Sequence, residues 1–178
     1  MKKLLIFLFF ITSYCLAQSS DLSNKIIAKK INKTISQLFP ELTVDIEPIL
    51  IDEQKVNALK LKKEEKAVYA LKNGYKILGY MYLGIAPSRA DFFDYMVIFK
   101  PDLSVMSVQV LVYREDYGGE IGSKRWLKQF VDKANGEQME FEKDIQNIGG
   151  ATISCRSITN GIKKLSKNIV EMRKLGIL

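Results

Sequence analysis

Val68-Tyr69-Ala70-Leu71-Lys72-Asn73-Gly74-Tyr75-Lys76-Ile77-Leu78-Gly79-Tyr80-Met81-Tyr82-Leu83 is the stretch on which the fold turns. Two apolar runs, Val68 to Leu71 and Tyr75 to Leu83, flank Asn73-Gly74, and Asn-Gly takes the positive φ angles of a tight type I′ turn. The stretch therefore predicts a β-hairpin. After a polar break at Pro87 to Asp91, Tyr95 to Phe99 and Val105 to Tyr113 predict a second hairpin around Pro101-Asp102. In its second strand Val108, Val110 and Val112 alternate with Gln109 and Leu111, presenting one face for packing on helices.

Helical periodicity lies on either side of this meander in the chain. Ile27, Ile31, Ile35 and Leu38 recur at helical spacing between Asp21 and Phe39, and Pro40 ends the stripe. Leu42, Val44 and Ile46 then alternate with Thr43 and Asp45 as a half-buried strand up to Pro48. The charged stretch Lys60 to Lys66 is a loop or a helix end. Trp126, Leu127, Phe130 and Val131 form a short stripe after Ser123, an N-cap residue type. Ile158, Ile162, Leu165 and Ile169 form a longer one after Ser154. This order predicts a single α+β domain: an antiparallel β meander packed against N-terminal and C-terminal helices, on one side of the sheet or at its ends. A length of 178 residues, 47% hydrophobic and 26% charged, suits one such domain.

Met1-Lys2-Lys3, the apolar run Leu4 to Ile11 and the small residues of Cys15-Leu16-Ala17 have the form of a secretory signal cleaved after Ala17. The expected location is the periplasm or cell envelope. Residues 18–64 then hold the N-terminal helix and strand, and 65–178 the rest. Histidine is absent, which excludes Ser-His-Asp and Cys-His catalysis, imidazole acid-base chemistry and His-ligated metals. Cys155 is the one cysteine left after cleavage, either a buried spacer or a reactive thiol. The net charge of +7 falls to +5 once Lys2 and Lys3 are removed, and it is spread widely, with Lys62, Lys63, Lys163, Lys164, Lys167, Arg173 and Lys174 interleaved with apolar residues or acids. No dense basic block or aromatic interleaving accompanies it, so no nucleic-acid partner is expected. Redox or group-transfer chemistry in such a chain has to come from a bound group.

Two glycine-containing connections separate the predicted elements: Glu115-Asp116-Tyr117-Gly118-Gly119-Glu120 and Asn147-Ile148-Gly149-Gly150-Ala151-Thr152-Ile153-Ser154. Neither is a P-loop or a dinucleotide fingerprint. In the second, small residues let a ligand approach the backbone, and the start of the following helix favours an anion. The simpler alternative is a flexible turn with Ser154 as the helix cap.

Ile148-Gly149-Gly150-Ala151-Thr152-Ile153-Ser154 resembles the Ser-Gly-Ala-Thr-x-Ser/Thr signature of the bacterial FMN-binding domain family. That domain occurs in periplasmic flavin subunits of the sodium-pumping NADH:quinone oxidoreductase and of Rnf complexes. Glu115 and Gly118 resemble the family's Glu-Thr-Pro-Gly-Leu-Gly segment, with Asp116 for its threonine and Tyr117 for its proline. Gly79-Tyr80 also fits a family strand, and the resemblance spans roughly residues 65–175. It implies FMN as cofactor, esterified through its phosphate to Thr152 by a flavin transferase that uses FAD and magnesium. It further implies Gly150, Ala151 and Ser154 around the phosphate and Glu115 and Gly118 along the ring, with Arg156 either pairing with the phosphate or solvated. Tyr117 stacks on the ring or packs within its own loop, and Trp126 is core. Gln146 and Gly149 depart from the residues the transferase motif carries, an acid and a serine or threonine. The implied role is an electron carrier exchanging electrons with a membrane-bound redox partner, more than a stand-alone enzyme. The alternative is an exported α+β binding or adaptor module that binds no flavin, or binds it non-covalently.

Overall fold

The computed structural model describes residues 25–52, 54, 55, 59 and 67–178. The signal segment, the start of the first predicted helix at residues 21–24 and the charged stretch at residues 60–66 lie outside the described residues. Helix α1 (Lys25–Leu38) precedes five strands: β1 (Asp45–Pro48), β2 (Val68–Asn73), β3 (Lys76–Pro87), β4 (Phe92–Phe99) and β5 (Val105–Val112). A one-turn helix α2 (Lys124–Leu127), flanked by 3-10 turns, and the long α3 (Thr152–Lys174) follow. All strand pairs are antiparallel and the spatial order is β1-β2-β3-β4-β5, so the chain is a single α+β domain built on a meander. β1 is an edge strand, which is why it tolerates Pro48; it begins at Asp45, three residues later than the alternation from Leu42 suggests.

Helices cover both faces of the sheet, in place of the expected arrangement on one side or at the ends. Ile27, Ile31 and Ile35 of α1 pack on Leu71, Met81, Leu83, Met96 and Ile98. On the other face Tyr80, Tyr82, Tyr95, Val97 and Phe99 meet Ile158, Ile162, Leu165 and Ile169 of α3. Burial of each such side chain contributes about 1.5–3 kcal/mol. With both faces dry, neighbouring residues of β3 are apolar in succession and do not alternate with polar ones. The run Ile77 to Ala86 carries that signal.

The first hairpin turn lies one residue later than Asn73-Gly74 predicts. Asn73 pairs with Lys76, leaving Gly74 and Tyr75 as the two central residues. Gly74 has φ +58 while Tyr75 stays outside the left-handed region, the sign pattern of a type II′ turn, which requires glycine only at its first central position. In β5, Val108 and Val110 pack toward α3 as expected, but Val112 joins Leu111 on the α1 side. The pairing explains it: Asp94 opposes Val112 and Tyr95 opposes Val110, so Leu111 is the extra residue of a β-bulge that turns the strand over. The bulged Leu111 carbonyl accepts a hydrogen bond from Lys30 Nζ at 2.5 Å.

Ser123 caps α2 as predicted, accepting from the Trp126 backbone N–H. Ser154 does not cap α3. The helix begins two residues earlier, at Thr152, and its N-cap position is Ala151, which has no side-chain acceptor to offer.

Candidate functional site

Three segments distant in sequence meet at one corner of the sheet: the β3–β4 turn at residues 88–91, the segment following β5 at residues 113–118, and the loop entering α3 at residues 147–151. Arg114 reaches back to β4, with Nη2 2.5 Å from Asp94 Oδ2 and Nη1 donating to the Phe92 carbonyl at 2.9 Å. Next to it, the Glu115 carboxylate accepts from the backbone N–H of Ala90 at 2.7 Å and of Asp91 at 3.3 Å. These bonds, the Ala90 one foremost, hold the Glu115 carboxyl below its ordinary titration range. Tyr113 and Ser154 share a hydrogen bond of 3.1 Å between their hydroxyls, and Ser157 Oγ donates to the Pro87 carbonyl at 2.6 Å. The turn and the segment after β5 are thus tied to each other, and the first turns of α3, which continue the third segment, are bonded to Tyr113 and to Pro87.

The loop entering α3 is a tight turn closed by the Ala151 N–H on the Ile148 carbonyl at 3.0 Å. Gly150 sits in it at φ +83, a conformation open to glycine at little cost. Gly149 has no such need, since its φ is ordinary and a Cβ there would meet nothing within 4 Å. Beyond the turn, α3 opens on Thr152 with no side chain capping its first N–H groups. Those unpaired donors and the helix dipole form a cradle for an anion, the dipole contributing about 0.3–1 kcal/mol.

A cavity of about 240 Å³ opens onto this helix start, lined by Gly150, Ala151, Thr152, Ile153 and Ser154 together with Arg89, Tyr113 and Glu115. That size suits a phosphate and the chain next to it more than a whole tricyclic ring. A larger cavity of about 650 Å³ lies further along α3 between Ile85, Phe92 and Asn160 and shares no residue with it. The Arg89 guanidinium has no hydrogen-bond or ion-pair partner among the described residues and supplies the cation. Thr152 Oγ1 accepts from Asn147 Nδ2 at 3.1 Å.

Of the residues singled out from the sequence, Gly150, Ala151, Thr152, Ser154 and Glu115 share this cavity. Gly118 stands behind it, packed on Ala151. Arg156 lies elsewhere, its guanidinium 5.0 Å from the centre of the Phe141 ring. Tyr117 is 84% exposed, so it does not pack within its loop. Cys155 is fully buried, and burial pushes its thiol above the ordinary range, which is the inert alternative of the two. Trp126 is core, edge-on to Phe130 at 5.5 Å; its indole N–H also donates to the Gln146 carbonyl at 2.6 Å. Arg89, Tyr113 and Asn147 were missed. Arg89 sits in a turn whose proximity to α3 depends on the Glu115 clip, a contact across 25 positions that periodicity does not report.

Residues 90–167 match the FMN-binding domain family. The match indicates FMN as the cofactor. No curated protein matches the chain. The residues present fit the group: an uncapped helix N-terminus, side-chain-poor Gly150-Ala151 and an arginine unpaired among the described residues line the same cavity, as a flavin phosphate requires.

Proposed function

We propose, from the FMN-binding domain that residues 90–167 form, that this protein is an exported electron carrier whose flavin is esterified through its phosphate to Thr152. The observation that carries the reading is the position of Thr152: first residue of an uncapped helix, half-buried, lining the same cavity as Arg89. A phosphate joined to Oγ1 there meets the N–H groups of the first helical turn and one guanidinium, two forms of anion stabilisation that need no rearrangement. Gly150 and Ala151 keep that approach open. When bound, FMN supplies one- and two-electron redox chemistry. The chain holds it, and the exposed Ile153 leaves apolar surface on the lining of the cavity. Attachment outside the cytoplasm would be carried out by a flavin transferase using FAD and magnesium, and electrons would pass to or from a membrane-bound partner. A covalent tether suits an exported carrier because it keeps the local flavin concentration high.

Co-expression of the full chain with a flavin transferase, followed by a denaturing gel under ultraviolet light, tests this. A fluorescent band, with a mass increase lost in Thr152→Ala, is expected. A dark band with identical masses overturns covalent attachment and leaves the non-covalent flavoprotein.

A further inference from the structure

Thr152 is not the end of its hydrogen-bond chain. Asn147 Nδ2, which donates to Thr152 Oγ1 at 3.1 Å, also donates to Glu142 Oε1 at 3.3 Å. We propose that Asn147, oriented by Glu142, is a positioning residue that presents the Thr152 hydroxyl for flavin attachment; this rests on the reading of Thr152 given above.

An asparagine amide can turn either its oxygen or its NH2 group toward a neighbour. A carboxylate only accepts, so Glu142 selects the orientation in which NH2 faces it. The second hydrogen of the same NH2 group then points at Thr152. With one lone pair of Oγ1 engaged by Asn147, the Thr152 O–H and the remaining lone pair are directed away from Asn147.

The backbone supporting Asn147 is held from both sides. The Gln146 carbonyl accepts from the Trp126 indole at 2.6 Å, and the Gln146 N–H donates to Gln129 Oε1 at 2.8 Å. Gln129 is itself anchored through Nε2 on the Trp126 carbonyl at 3.0 Å. Glu142 is fixed at φ +64, with its N–H on the Ile145 carbonyl at 2.9 Å. The core side chain of Trp126 and the half-buried Gln129 thus brace an exposed loop whose outermost amide orders a hydroxyl. Asn147, Glu142 and the bonds between them are exposed to solvent, where such bonds add little to stability. Their effect is on geometry.

Attachment forms a bond between Thr152 Oγ1 and the FMN phosphorus of FAD and breaks the phosphoanhydride. AMP leaves with the electron pair of the broken P–O bond, and the Thr152 proton passes to base or solvent. Asn147 holds Oγ1 on the line of attack throughout and exchanges no proton.

The test uses the purified full chain, a purified flavin transferase, FAD and magnesium, with covalent flavin followed by in-gel fluorescence over time. Acceptor protein is varied at saturating FAD. Asn147→Ala is expected to lower kcat about fivefold to tenfold, the worth of one neutral hydrogen bond, with KM for the acceptor protein and Tm unchanged. Glu142→Gln, whose amide no longer selects one orientation, is expected to lower kcat to a smaller extent. Unchanged kcat in Asn147→Ala, or a rise in KM alone, overturns the proposal while the reading of Thr152 stands. If the wild-type chain takes up no covalent flavin, the reading of Thr152 fails and this proposal fails with it.

Discussion

Gly118 stands so close to Ala151 that a Cβ at residue 118 would lie 3.0 Å from the Cβ of Ala151 and equally near the Tyr113 hydroxyl. This contact presses the segment after β5 onto the turn that opens α3, and Gly118 adopts φ +81 to make it. Gly118→Ala therefore meets two penalties, a left-handed backbone of about 1–2 kcal/mol and a steric clash that pushes the two segments apart. Gly150→Ala, at φ +83 with nothing within 4 Å of its Cβ, meets the first alone. Titration calorimetry with FMN should show weaker binding in Gly118→Ala than in Gly150→Ala, with thermal melts in the same order; equal losses would deny the contact its role.

Arg89 depends on Glu115 for its place. A charge-assisted hydrogen bond to phosphate contributes about 1.5–3 kcal/mol, so Arg89→Ala should weaken FMN binding roughly tenfold or more, measured by fluorescence titration. The depressed Glu115 carboxyl stabilises the 88–91 turn at any pH above its unfolded-state value. That contribution is lost as pH falls through the lower folded-state value. FMN affinity of the wild type should accordingly drop in acid, beyond the drop shown by Glu115→Gln over the same range. Parallel profiles would show that the clip does not govern the site.

Gly149 and Gln146 are the two departures from the transferase motif, and the structure leaves room to reverse both. Gly149 has an ordinary φ and open space for a side chain, and Gln146 is exposed with only its backbone groups held. Gly149→Ser combined with Gln146→Asp should raise the rate of covalent flavin uptake severalfold without moving Tm. A Tm loss of more than a few degrees would mean that one of these positions is constrained in a way the geometry does not show.

The sheet separates two cores, one under α1 and one under α3. Ile31→Ala and Ile158→Ala, both at fully buried positions, should each cost about 2–5 kcal/mol in urea unfolding. Because they lie on opposite faces with no shared partner, the double variant should equal the sum of the singles to within about 0.5 kcal/mol. The retained flavin should distinguish them, since Ile158 is on the helix that opens at Thr152.

The amino-acid order by itself determined the meander, the three helices, the N-cap at Ser123 and the candidate turn around Thr152. All of these rest on local rules: turn chemistry, the helical repeat of apolar residues and the conformations open to glycine. Tertiary structure decided what those rules do not reach. The bulge at Leu111 sent Val112 to the other face, because pairing with β4 and not the strand's own alternation sets where each side chain points. Ser154 is the third residue of α3 and not its cap, and its hydroxyl bonds Tyr113, 41 residues away. Arg156, adjacent to the site in sequence, went to Phe141, while Arg89, more than 60 positions from Thr152, came to the cavity through the Glu115 clip. A short motif marks the turn that opens α3. Which charges surround it depends on contacts between segments far apart in the chain, and those exist only once the sheet has closed.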